Sequence, residues 1–234
     1  MSAAENHEKH SFASRLNWLR AGVLGANDGI VSIAALVVGV AAATNELMPV
    51  LIAGVSGVVA GAISMGLGEY VSVSSQRDSE RAIIAKERAE LISQPEHELL
   101  ELRDLYMAKG VSKATALKVA EELTAHDPIA AHLDVEYNID EQTLTNPWHA
   151  AISSALSFIA GAILPMAAAT LLSADLRIGA IVIASLVALA ITGGVGAKLG
   201  GAPIGPAVLR VTAGGALALA VTWGIGTLLG VTVV

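Results

Sequence analysis

The sequence predicts an all-α membrane protein with five transmembrane helices and a small cytoplasmic helical domain between the second and third. Three observations carry that expectation. The 234 residues are 54% hydrophobic and 15% charged, against roughly 25% charged in a soluble domain, and mean hydropathy is +0.63. Five runs are apolar over the roughly 20 residues needed to cross about 30 Å of hydrocarbon. Acidic residues are segregated: 15 of the 21 fall between Arg77 and His149, so the net charge of −7 belongs to one segment.

Residues 1–17 are read as a polar cytoplasmic segment of the mature chain, because the apolar run that follows has no small-residue cleavage signature. Residues 18–76 hold the first two spans, Trp18–Ala43 and Val50–Val73, parted by Thr44-Asn45-Glu46. Residues 147–234 hold Pro147–Leu172, Ile178–Ala197 and Ala207–Val233, parted by Ser173-Ala174-Asp175 and Gly200-Gly201-Ala202-Pro203. Aromatics are 3% and glycines number 23, a small-residue texture that lets membrane helices approach closely. A cytoplasmic N-terminus leaves thirteen of the fourteen Lys and Arg inside, with Arg177 alone outside.

Residues 77–146 keep a helical period with charged outer faces. Nothing breaks the helix between Tyr70 and Ser93, so the second span should run on to Gln94-Pro95 as one long helix. A helix over Glu96–Met107 then ends at Lys109-Gly110. Ser112 caps a third helix to Ala125, and Asp127-Pro128 starts a fourth to about Tyr137. The apolar supply is thin for so small a domain, which should lean on its long helix, a second subunit or bound ions.

Asp28 stands about ten residues into the first span. An ionised carboxylate there costs at least a few kcal/mol facing lipid, so it should meet a cavity, a cation or a partner. Asn27 and Ser32 add oxygens beside it. In the second span Gly57, Gly61, Met65 and Glu69 recur every four residues on one stripe. Met65 reads as packing or as a thioether ligand tolerant of softer divalent ions such as Fe2+; Glu69 as an entry ligand, a proton carrier or a snorkelling group. Glu87 with Glu90, and Glu98 with Glu101, are i, i+3 pairs that a turn at Pro95 could bring together. A solvated acidic face is the plainer alternative. His132 and Glu136, four apart, could complete an oxygen-rich cage for a divalent ion.

The chain has no cysteine, which removes thiolate ligands and nucleophiles. Neither nucleotide-binding glycine motif occurs, and Glu96-His97-Glu98 only mixes the residue types of the zincin motif. No prosthetic group, nucleic-acid partner or enzyme activity is expected.

Gly25-Ala26-Asn27-Asp28-Gly29-Ile30-Val31-Ser32 and Ala60-Gly61-Ala62-Ile63-Ser64-Met65-Gly66-Leu67-Gly68-Glu69-Tyr70 together resemble the vacuolar iron transporter (VIT-like) family, in its bacterial form. The likeness continues through Ala120-Glu121-Glu122-Leu123-Thr124-Ala125-His126-Asp127-Pro128 and the glycine-rich last span. It implies a homodimer in a bacterial inner membrane that exports Fe2+, with Mn2+ open as substrate, in exchange for protons. It also implies a transport site at the dimer interface. The family's membrane ligands match Asp28 and Met65, and its domain glutamates match Glu87, Glu90, Glu98, Glu101 and Glu136. Where iron-transporting members have a glutamate two turns before the methionine, this chain has Gly57, and His132 stands in place of a domain methionine. A ferritin-like iron-binding or iron-oxidising membrane protein without transport is the competing expectation.

Overall fold

Hydrocarbon offers no water to satisfy a peptide group, so a chain this apolar folds into helices that close their own hydrogen bonds. The computed structural model describes the backbone of residues 3–141 and 144–232 and the side chains of residues 22–141 and 144–230. In order, the helices are α1 (Ala3–Ala43), α2 (Leu47–Ser93), α3 (Pro95–Ala108), α4 (Lys113–His126), α5 (Pro128–His132), α6 (Pro147–Leu171), α7 (Ala174–Leu199) and α8 (Ile204–Thr232), with a π-helical turn, Leu133–Tyr137, following α5. Stretches of α1, α2, α6, α7 and α8 are long and apolar enough to cross a membrane, and a short non-membrane helical segment separates the second span from the third.

The polar N-terminal segment is helical from Ala3, continuous with the first span. Side chains before Gly22, including Lys9, Arg15 and Arg20 of the charge count, lie outside the described residues, as does Val233 at the end of the expected fifth span. Helix α2 runs unbroken to Ser93 and Pro95 starts α3. Ser112 takes the N-cap position of α4, but its hydroxyl donates to Thr115 Oγ1 at 3.0 Å instead of accepting from the first turn. Asp127 does cap α5, accepting from the Ala130 N–H at 3.1 Å. The expected fourth helix is not uniform. It widens into a π turn after His132 and stops at Asn138, whose φ of 54° is left-handed, a conformation Asn tolerates better than most residues.

By contacts the chain forms two units, one built from residues up to Val71 with those from Pro147 onward, the other from Ser72–Asn146. In the membrane unit α1 packs against α6, α7 and α8, and it gives the core its largest share: Ile33, Ala34, Ala35, Val37, Val38 and Ala41. The closest approach is backbone to backbone. A Cβ at Gly29 would collide with the Phe158 carbonyl, and one at Gly161 with the Ala26 carbonyl. The second unit has a smaller core of Leu102, Ala120 and Ala131, flanked by Leu99, Tyr106, Leu123 and Val135.

Two opposing magnitudes test the α1–α6 contact. Overpacking costs about 1–3 kcal/mol, whereas Gly to Ala inside a helix gains about 0.8–1.0 kcal/mol. Gly29→Ala should therefore lower the unfolding temperature in detergent, while Gly224→Ala, with no atom of the described residues within 4 Å of its added Cβ, should hold or raise it. Equal shifts for the two variants would refute the close contact.

Candidate metal centre

Glu87 on α2 and His132 at the end of α5 are buried, 2% and 0% exposed. Burying a carboxylate and an imidazole in so small a core is costly unless something offsets it. His132 Nδ1 lies 2.9 Å from Glu87 Oε1 and 3.8 Å from Glu98 Oε2. Yet among the described residues Glu87 Oε1 and both ring nitrogens of His132 have no hydrogen-bond partner. The near pair is close without the angle a hydrogen bond needs.

Glu136, on the π turn, completes the group: one ligand atom each from Glu87, His132 and Glu136 lie within 4.8 Å of one another. Its carboxylate is hydrogen-bonded by the Tyr137 phenol, a contact that, with burial, raises the phenol's proton affinity. A bond of that kind can orient a carboxylate, as outer partners do for metal ligands. A second group, His97, Glu98 and Glu101 on α3, meets the same 4.8 Å limit. Glu98 links the two, since it is 4% exposed and its oxygens lie 3.5 Å from His97 Nδ1 and 3.8 Å from His132 Nδ1. Nitrogen with carboxylate oxygen suits first-row divalent ions such as Fe2+, Mn2+ and Zn2+.

The paired glutamates are thus sorted differently from their sequence spacing. Glu87 turns to His132 and Glu136, while Glu90 pairs with Lys86 at 2.8 Å. Crowding is still felt: burial first, then the charges of Glu136, Glu98, Glu90 and Glu101, push the Glu87 carboxyl up to about 7. His97 and Tyr137 were not among the expected residues. His97 was legible as i, i+4 with Glu101; Tyr137 had no signal beyond adjacency to Glu136.

In the membrane unit Asp28 is half-buried and accepts from the Ser32 hydroxyl at 2.6 Å. Asn27 is not free to join it, because its Oδ1 accepts from Thr192 on α7 at 2.6 Å. The α2 stripe faces inward at its start. Gly57 leaves room for Leu36 and Ile33, Gly61 for the Phe158 ring, and Met65 packs on the core. Phe158 therefore touches Gly29, next to Asp28, with its backbone and Gly61, one turn before Met65, with its ring. Glu69 is half-buried. Arg177, placed outside by the charge count, is buried at 5% exposure and donates to the Asn45 carbonyl at 3.2 Å.

Comparison with known proteins gives this constellation a context. The sequence pattern of the VIT family matches residues 19–227. The chain is 46% identical over 213 residues to the vacuolar iron transporter of Acanthamoeba castellanii, covering 90% of this chain and 78% of that protein. It is 36% identical over 227 residues to vacuolar iron transporter homolog 1 of Arabidopsis thaliana, covering 97% and 90%. It is 35% identical over 202 residues to VIT-like transporter 1a of Glycine max, covering 86% and 80%. These relatives correct two expectations, a bacterial member and a bacterial inner membrane. They are amoebal and plant proteins, two of them named for the vacuole. Hydropathy and the Lys/Arg asymmetry report how a chain crosses a bilayer, not which bilayer, so the residues held no information against the error.

A raised carboxyl affinity fixes the sign of a pH effect. Between the free value of 4.5 and about 7 the folded unit holds a proton that the unfolded chain has released. This stabilising term is complete below 4.5 and is lost as pH rises through 7. With metal removed by chelator, hydrogen exchange in the Ser72–Asn146 unit of the whole protein should be slower, after correction for intrinsic rates, at pH 6 than at pH 8. Added divalent metal should slow it at pH 8, and Glu87→Gln should flatten the metal-free dependence. A metal-free wild type indifferent to pH would refute the crowded Glu87.

Proposed function

This chain belongs to the VIT family of membrane iron transporters, and on that premise we propose that it exports Fe2+ from the cytosol in exchange for protons, with Mn2+ as a second substrate. The relatives' names favour a vacuolar or other organellar membrane as its place of work. The observation that carries the reading is a membrane carboxylate on an open face. Leu24, Asp28, Ser32 and Leu36 recur every four residues along α1, and Leu24 and Leu36 are 58% and 39% exposed. Serine and aspartate on a lipid-facing stripe would be costly. A second copy of the chain laid along this stripe removes the cost and sets two Asp28 carboxylates opposite each other.

Asp28 and Met65 form the transport site in this reading, with Glu69 as the group through which an ion or proton enters. Carboxylate oxygen supplies charge, and the thioether favours Fe2+ over harder ions. The acidic unit is the collecting device. Glu87, Glu98, Glu101, His132 and Glu136 bind the dication before transport, Glu90 adds negative charge, and the buried, unpartnered nitrogens of His132 and Glu87 Oε1 are its strongest support. Protons compete with metal for both groups of carboxylates, which gives the exchange its chemical basis.

In proteoliposomes loaded from the cytoplasmic face, a proton gradient directed toward that face should accelerate Fe2+ export. Asp28→Asn should reduce flux to the level of empty vesicles while leaving the protein folded, because shape is kept and charge removed. Met65→Leu should shift competitive flux from Fe2+ toward Mn2+. Wild-type flux through Asp28→Asn would sink the site, and indifference to the gradient would sink the coupling.

A further inference from the structure

Asp28 owes its direction to what holds its neighbours. Gly25 and Gly29, on either side of it, lie against the α6 backbone at Ser154 and Phe158. Asn27, immediately before it, is held by α7 through Thr192. The Thr192 hydroxyl has one proton and two acceptors in reach, Asn27 Oδ1 at 2.6 Å and the Leu189 carbonyl of its own helix at 3.3 Å. The shorter bond is the one between helices. The turn Gly25–Gly29 is thereby fixed from two sides, and Asp28 is left on the open stripe, where Ser32 is its one donor among the described residues.

We infer that Thr192 is a positioning residue for the Asp28 transport site, acting through Asn27; this rests on the proposed role of Asp28. Two consequences follow from the bond. It resists rotation of α1 about its axis, which would carry Asp28 off the stripe. It also keeps the Asn27 side chain turned to α7, so that its amide N–H groups do not compete with an arriving cation for the Asp28 carboxylate. Ser32 differs in kind, since its hydroxyl touches Asp28 and must yield as the cation binds.

The test compares Thr192→Val, nearly isosteric but without the hydroxyl, with Thr192→Ser, which keeps it. Full-length variants in proteoliposomes are measured for Fe2+ flux against Fe2+ concentration. Interhelical hydrogen bonds in membranes are worth about 0.6–1.7 kcal/mol, or about 3- to 20-fold in affinity. Thr192→Val should therefore raise KM by about that factor with little change in kcat, and Thr192→Ser should restore KM. A merely structural role would reduce the amount of active transporter, and so the maximal flux, without moving KM. An unchanged KM in Thr192→Val overturns the inference, as does a Thr192→Ser variant as impaired as the valine. Asp28→Asn in the same preparation separates the two claims. If it is inactive while Thr192→Val has wild-type KM, only the role of Thr192 falls; if it transports normally, the Asp28 site falls and Thr192 with it.

Discussion

The membrane unit depends on how closely the backbones of α1 and α6 approach. Lipid gives helices no hydrophobic reason to associate, so packing and hydrogen bonds must do so. Glycine at 25, 29 and 161 lets main-chain carbonyls sit where side chains would otherwise be. Once that contact is made, much else is forced by the 100° turn per residue of a helix. Asn27 is turned to α7, Asp28 to the open stripe, and the following turns of α1 fill the core with Ile33, Ala34, Val37 and Val38. The Phe158 ring lies in the notch at Gly61, which ties α2 to the same layer.

The two units handle negative charge in opposite ways. Asp28 is one carboxylate with one hydroxyl donor among the described residues, in a setting where a second charge on the same chain would be hard to bear. The Ser72–Asn146 unit instead gathers Glu87, Glu90, Glu98, Glu101 and Glu136 near one another, with Lys86 and the exposed His97 as nearby bases. Repulsion there is relieved by a proton or by a dication. The two compete, so the crowding that raises proton affinity also enlarges what a dication gains by displacing the proton.

Most of the architecture was legible because hydropathy and helix punctuation are local. Five apolar runs, Pro95, Lys109-Gly110 and Asp127-Pro128 mark most of the boundaries found, and the unbroken α2 could be read from the lack of any breaker. What could not be read depends on partners distant in sequence. The switch of Asn27 toward Thr192, 165 residues away, leaves no trace in spacing, and neither does the burial of Arg177 under the Asn45 carbonyl. Within the acidic unit, i, i+3 spacing put Glu87 with Glu90, but the π turn after His132 decides which of them meets Glu136.

Charge balance ties the membrane site to the proposed dimer. Apart from Asp175 in the first turn of α7, the acids in the apolar stretches of the spans are Asp28 and Glu69, and position 57, where the resemblance leads one to expect a glutamate, is a glycine whose missing side chain gives space to Leu36. One chain therefore brings a single deep carboxylate, half of what a dication needs for neutrality. In the proposed dimer, two copies facing along the Asp28 stripe would bring two. In the proposed exchange the same pair would take two protons on the return, leaving the site neutral when loaded with either cargo and most costly when empty. A site of that kind disfavours crossing the apolar layer unoccupied, which is the condition for exchange rather than leak. On this account Gly57 does not weaken the site. It concentrates the coupling on Asp28, and leaves Glu69, one turn beyond Met65, to act before or after the ion reaches the deep position rather than at it.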